Sequence, residues 1–288
     1  MAAESMQDIK RRIRSITSTE HITNAMKLVS AGKLRKAKAV FERTNENSHY
    51  ITNAIEELFT NSKDIPEEYL YKEDREIGAT CYIVITSSKG LCGGFNSNVI
   101  KEAEAQIRTF GGDSVIFAIG SKGKEYFEKR GYQIYRDYMA PPEEITPREA
   151  RALGEPLIDL YKRGEIGRVV MVSTEFISTM EQRVRTSILL PFEVEVNPEV
   201  GTSKFIEYEP SVEEVFNYLV PKYVEMMIYA AVVESATCEH AARRTAMENA
   251  TDNAREMLGE LSLYYNRARQ AAITDEIIEI VAGSEAQG

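Results

Sequence analysis

A glycine-rich turn after an apolar, β-branched run could hold phosphate, and Ser87-Ser88-Lys89-Gly90-Leu91-Cys92-Gly93-Gly94-Phe95-Asn96 is such a turn. Mononucleotide-binding folds place a turn of this kind at a helix start, where backbone N–H groups meet the anion. The spacing departs from that pattern. The glycines do not fit G-x-G-x-x-G, no Gly-Lys-Ser/Thr follows, and no acidic residue stands at the end of the next strand to take a ribose. A structural turn is the better reading, with phosphate binding as its rival. In Gly120-Ser121-Lys122-Gly123-Lys124 the next residue is Glu125, where a nucleotide-bound magnesium would need a hydroxyl. His21, His49 and His240 have neither zinc-ligand spacing nor a nucleophile beside them, so solvent-facing or packing roles are expected. Cys81, Cys92 and Cys238 form no C-x-x-C pair, which points to reduced thiols and to neither a disulfide framework nor a metal. The carboxylates fall on amphipathic segments, where they make a wet face. The residues therefore offer no active site, no metal and no cofactor.

Charge is informative because it is uneven. The 288 residues carry a net charge of −10, which argues against a general nucleic-acid binder. Residues 1–43 oppose the trend: ten basic side chains (Lys10, Arg11, Arg12, Arg14, Lys27, Lys33, Arg35, Lys36, Lys38, Arg43) face four acidic ones (Glu4, Asp8, Glu20, Glu42), giving +6 and leaving −16 for the rest. Such a segment is either a solvated helix face or a surface that meets an acidic partner. The first residues do not read as a signal peptide and no apolar run is long enough to cross a bilayer, so a cytoplasmic protein without direct bilayer insertion is expected.

The elements that would position these residues follow from punctuation and periodicity. From Glu4 to Ser62 there is no proline and one glycine, Gly32, which predicts one long helix over 1–62. Its apolar residues step by three and four through Met6, Ile9, Ile13 and Ile16, then Ile22, Met26 and Val29, then Ala37, Val40 and Phe41. That is a narrow seam on an otherwise polar helix, which is expected to lie outside a buried core and to need a partner helix. Gly32 costs about 1 kcal/mol relative to alanine in mid-helix, which suggests either close approach of another backbone or neutral tolerance.

The segment 210–288 supplies the partner. Lys222 to Ala282 has no proline and only Gly259, a helix on the order of 90 Å at about 1.5 Å per residue. Ser211 and Glu214 make a capping box that starts a turn or two, after which Pro221 is expected to kink or restart the helix. Two such helices at opposite ends of a chain are expected to pair antiparallel, with the C-terminal tip overhanging. Between them, residues 63–209 read as an α/β domain. Strands are expected at Thr80–Thr86, Ser114–Ile119, Tyr132–Arg136, Arg168–Ser173 and Met180–Leu190, with helices at Asn98–Phe110, Lys122–Lys129 and Pro147–Lys162. Thr146, Pro147 and Glu149 stand in capping-box register before the last helix. The fold class is α/β: a long two-helix coiled coil plus a Rossmann-like domain with a five-stranded, mostly parallel sheet.

The two arms also carry a resemblance. Residues 22–37, Ile-Thr-Asn-Ala-Met-Lys-Leu-Val-Ser-Ala-Gly-Lys-Leu-Arg-Lys-Ala, resemble the N-terminal signature of the gamma subunits of bacterial F-type ATP synthases. Ala246 to Asn253 and the run Tyr265 to Gly283 are similar to the most distinctive C-terminal segment of that family, and the Gly90–Asn96 loop also matches. The resemblance spans essentially the whole chain. Lys89 departs from it, standing where many members have an Asp-Arg pair, and so does the tail Glu285-Ala286-Gln287-Gly288, which does not end in an apolar residue.

The resemblance implies a non-catalytic rotor, one copy per complex, inside a hexamer of alternating alpha and beta subunits and against the epsilon subunit and the membrane c-ring. It places the protein peripherally on the cytoplasmic face of the cell membrane. It also implies that Arg269, Gln270, Thr274 and Glu276, with Arg243 and Met26, contact the catalytic ring, and that the basic face around Lys10, Arg11 and Lys27 meets acidic levers on the beta subunits. Ile273, Ile277, Ile280 and Val281 would turn in an apolar bearing, and simple seam packing is the other reading of these four. The competing functions are a nucleotide-binding enzyme with helical dimerisation arms and a coiled-coil adaptor of another assembly.

Overall fold

In the computed structural model, residues 6–62, 66–70, 78–192 and 208–285 are described. Glu4, expected to open the first helix, and the tail residues 286–288 lie outside them. In chain order the elements are α1 (Met6–Asn61), β1 (Ala79–Ile85), α2 (Phe95–Phe110), β2 (Ser114–Ile119), α3 (Ser121–Lys129), β3 (Gln133–Tyr138), α4 (Pro147–Lys162), β4 (Ile166–Phe176), β5 (Gln182–Leu190) and α5 (Val212–Glu285). The chain divides into two compact units, residues 1–30 with 244–288 and residues 31–243.

In the unit 31–243 the sheet order is β3-β2-β1-β4-β5. β1 to β4 run parallel, and β5 turns back antiparallel on β4. The five-stranded, mostly parallel sheet expected from the β-branched runs is therefore present. Alternate residues of the central strands face opposite layers, as a two-residue side-chain period requires. Tyr82, Val84, Ile116, Ala118, Val170 and Val172 pack with Val99, Ile100 and Ala103 of α2 and Phe127 of α3. Cys81, Ile83, Ile85, Val169 and Met171 pack with α4 residues such as Leu157 and Tyr161. α4 begins where the sequence places it: Thr146 N–H donates to Glu149 Oε2 at 2.8 Å, Glu149 N–H donates to Thr146 Oγ1 at 3.3 Å, and Pro147 follows the cap.

Three expectations change. The last turns of α1 are not outside the core, because Ile55, Leu58 and Phe59 are buried in the same cluster as Phe216, Val220 and Val224 of α5. Phe59 stacks against Phe192 at 4.8 Å and Phe216 at 5.0 Å between ring centroids. Second, α5 runs on through Pro221 without restarting. The apolar stripe Phe216, Val220, Val224 and Ile228 is fully buried on both sides of the proline, and burial of about 1.5–3 kcal/mol per side chain outweighs a penalty near 3 kcal/mol.

The third change concerns the seam. In the unit formed by residues 1–30 and 244–288, Arg255 is 3.0 Å from Glu20, Thr251 Oγ1 is 2.9 Å from Thr23 Oγ1, and Lys27 is 3.9 Å from Glu248. Residue numbers rise on one helix as they fall on the other, so the pairing is antiparallel. Ile9, Thr23 and Ser30 of α1 are buried, as are Met247, Thr251, Ala254 and Leu261 of α5, with Thr23 and Thr251 in direct contact. Ile22 and Val29, expected in the seam, are instead 58% and 61% exposed. Helix separation depends on side-chain size at the contact, and small hydroxyl and alanine side chains allow a close approach that isoleucine and valine would prevent.

Candidate functional site

The crevice of a parallel α/β sheet opens where the strand order reverses, here at the carboxyl ends of β1 and β4. In this protein α5 occupies that position. Thr174 N–H donates to Ser235 Oγ at 3.3 Å, Phe176 N–H donates to Glu234 Oε1 at 2.9 Å, and Cys238 Sγ donates to Thr174 O at 3.5 Å. Cys238, Cys92 and Phe95 close the space as a small buried cluster with Phe176 and Ala242 packed against it. A phosphate would have to displace the protein's own helix.

The glycine loop beside it is bonded inward. Ser87 N–H donates to Asn96 Oδ1 at 2.8 Å, Asn96 Nδ2 donates to Ser87 Oγ at 2.8 Å, and Ser87 Oγ lies 2.5 Å from Lys89 O. From α5, the Arg243 guanidinium donates to Lys89 O at 3.2 Å and to Gly90 O at 3.3 Å, and pairs with Glu239 at 2.7 Å. Leu91 takes a left-handed backbone conformation, φ 63°, and its side chain is 63% exposed. Gly120, in the second glycine stretch, has φ +88°, and a Cβ there would lie 2.1 Å from Thr86 O. Gly123 N–H donates to Thr86 Oγ1 at 2.9 Å. Both stretches read as structural turns.

The three thiols are chemically quiet. Burial pushes Cys81 up to about 12 and raises Cys92 and Cys238 as well, so all three stay protonated. Among the described residues no group of three or more His, Cys, Asp or Glu side chains could hold a metal ion.

His240 is the exception to the bland reading of the histidines. It is buried, neither ring nitrogen has a hydrogen-bond partner among the described residues, and it lines a cavity of about 360 Å³ with Lys33, Lys36, Glu143 and Ile145. Glu143 Oε1 lies 2.6 Å from Lys33 Nζ and 3.8 Å from His240 Nε2. Burial pushes the imidazole down to about 4, opposed by Glu143 and reinforced by Arg243 and Lys33. Folding thus favours the neutral ring. Its contribution to stability is complete above the unfolded pKa near 6.5 and is lost as pH falls toward about 4. Urea unfolding at pH 7 and at pH about 4.5 should show a loss of stability that His240→Phe reduces; an equal loss in both proteins would remove His240 as its source.

The predicted contact residues have mixed placements. In the unit that contains them, Arg269, Gln270, Thr274 and Glu276 are exposed on α5, as are Ile273, Ile277, Ile280 and Val281. Thr274 Oγ1 donates back to Gln270 O at 2.8 Å. Lys10 and Arg11 are exposed, Arg11 pairing with Asp8 at 2.9 Å, while Met26 and Lys27 are half-buried. Arg243 is buried in the other unit with its guanidinium turned inward. Sequence reasoning missed Ile22, Leu28 and Val29 as exposed apolar side chains of α1, because their periodicity assigned two of them to the seam. The corrective signal is a seven-residue repeat of small side chains, Thr23, Ser30, Ala37 and Thr44, each of them buried.

The chain matches the ATP synthase family model over residues 5–287. It is 45% identical over 287 residues to the ATP synthase gamma chain of Alkaliphilus metalliredigens, covering 98% of each chain. It is 39% identical over 302 residues to the ATP synthase gamma chain, sodium ion specific, of Acetobacterium woodii, covering 99% of each. Its fold is similar to a chain of the Euglena gracilis mitochondrial ATP synthase in rotational state 3, with TM-score 0.69 and 17% identity over 98% of this chain and 94% of that one. Inward-bonded glycine loops, a filled crevice and an uncovered helical tip agree with these matches: the chain belongs to the ATP synthase gamma chain family, the non-catalytic central stalk of the F-type enzyme.

Proposed function

We propose that this chain is the rotating shaft that couples ion flow through a membrane c-ring to ATP synthesis or hydrolysis on beta subunits. The observation that carries the reading is the state of α5 beyond Leu261. Among the described residues Leu261 is the last buried one, and from Ser262 to Ala282 the side chains are exposed or half-buried, Ile273, Ile277, Ile280 and Val281 among them. A helix that displays several isoleucines to water needs cover, and none comes from this chain among the described residues. A ring of alpha and beta subunits supplies it in this reading.

An asymmetric helical pair inside such a ring presents a different surface to each catalytic subunit and so biases each site toward a different state. By reciprocity, nucleotide binding at those sites turns the shaft. The α/β unit then faces the epsilon subunit and the c-ring on the cytoplasmic side of the membrane. Among the described residues no helix is long and apolar enough to cross a bilayer, which fits a peripheral attachment.

The test is a complex reconstituted from alpha, beta and this chain. Replacing Arg269 and Gln270 together by alanine is expected to lower ATP hydrolysis about fivefold or more, the scale of one lost interface anchor. Unchanged hydrolysis would remove these two residues from the interface.

A further inference from the structure

We infer that the cavity beside His240 is a binding site for a compact, uncharged apolar molecule that carries one hydroxyl group, of the phenol or small-alcohol class. The inference goes beyond the shaft reading and does not depend on it. Three elements of the unit 31–243 build the apolar walls: Ala37 and Val40 of α1, Val233 and Ala236 of α5, and Ile145 of the turn before α4. On each helix these positions are three residues apart, and His240 continues the α5 stripe one turn on, so each helix turns a single face to the space. Alanine at 37 and 236 leaves room that a larger side chain would take. A volume of about 360 Å³ and mainly apolar walls with a few convergent polar groups are the usual make-up of a small-ligand site.

The polar groups choose the ligand. His240 is 2% exposed, and neither Nδ1 nor Nε2 has a hydrogen-bond partner among the described residues; a buried polar group left in that state calls for an occupant. Glu143 Oε1 lies 3.8 Å from Nε2, too far to satisfy it, yet an oxygen set to one side of the pair can come within about 2.8 Å of both. A hydroxyl suits that place because it accepts from an imidazole N–H and donates to a carboxylate at once. Charge argues against an ion. The rim carries Lys33, Lys36, Glu143 and Glu144, two of each sign, and Lys33 is already engaged by Glu143 at 2.6 Å. An anion would meet two carboxylates and a cation two ammonium groups. Water alone could bridge the histidine and the glutamate but would leave the apolar walls wet, so a molecule with an apolar body gains by displacing it.

The experiment titrates the full chain, labelled with nitrogen-15, with p-cresol, toluene and p-toluate, and follows the amide chemical shifts. p-Cresol should give saturable shifts clustered in residues 33–40, 143–145 and 233–240, and should raise the melting temperature as its concentration rises. Toluene, which lacks the hydroxyl, and p-toluate, which replaces it with a carboxylate, should each bind roughly tenfold more weakly, the scale of one hydrogen bond. His240→Phe keeps an aromatic ring in place and should erase the preference, so that p-cresol and toluene bind within about twofold of each other. Ala236→Leu fills the space and should abolish binding of all three. The wild-type comparison decides even if neither variant folds: equal affinity for p-cresol and toluene overturns the role of the hydroxyl, and tighter binding of p-toluate overturns the uncharged class in favour of an anion. Shifts that do not saturate, or that lie away from the three segments, overturn the site and leave water as its occupant.

Discussion

Gly120→Ala is expected to destabilise the unit 31–243 by about 3 kcal/mol or more. The φ of +88° already disfavours any side chain, and the added methyl would lie 2.1 Å from Thr86 O and 2.7 Å from Thr86 C. Those atoms belong to backbone just past the end of β1 that is itself tied down, Thr86 N–H donating to Ile119 O at 2.8 Å, so they have little room to give. Gly32→Ala is the matching control. A Cβ there meets nothing within 4 Å, so close approach within the chain is not what keeps the glycine, and alanine should stabilise the helix by about 1 kcal/mol. Urea unfolding followed by far-ultraviolet circular dichroism measures both, and a loss below about 1 kcal/mol for Gly120→Ala would contradict the contact.

Phe59→Ala is expected to cost about 3–5 kcal/mol, the range for deleting a buried aromatic ring. The ring is 3% exposed and sits between Phe192 and Phe216, so its removal leaves a cavity lined by residues distant in sequence. Exposed Tyr50 on the same helix should tolerate alanine within about 0.5 kcal/mol. Equal, small effects at the two positions would return the end of α1 to the role of a solvated helix face.

Those two residues mark the limits of what the sequence discloses. The sheet was legible because β1, β2 and β4 are short β-branched runs bounded by turns, and the start of α4 was legible because a capping box is a local code of four residues. The strand ends shifted by a few residues, as at β3, which begins at Gln133 and runs to Tyr138, since edges are set by pairing rather than by composition. The long helices were legible as helices, but the side each one buries was not. Apolar periodicity favoured Ile22 and Val29, whereas the close approach of two backbones selects Thr23 and Ser30, whose small size matters more than their polarity. The end of α1 failed for a related reason, because Ile55, Leu58 and Phe59 are buried by residues of α5 that lie far away along the chain.

The site shows the same division. The absence of a nucleotide fingerprint could be read from glycine spacing, yet the stronger reason that no phosphate fits is the placement of Ser235 and Cys238 in the crevice, a tertiary fact. Arg243 could be picked out by resemblance, but only the structure turns its guanidinium inward onto Lys89 O and Gly90 O. The exposed tip residues from Arg269 to Val281 gave the opposite case, a helix with nothing left in its own chain to pack against.

The most direct measurement fixes an assembly of alpha and beta subunits to a surface, attaches a visible probe to this chain, and supplies ATP. The account predicts that the probe turns continuously in one direction while ATP is hydrolysed, and that it stops when hydrolysis stops. A probe that stays still on a complex hydrolysing ATP at its full rate would contradict it.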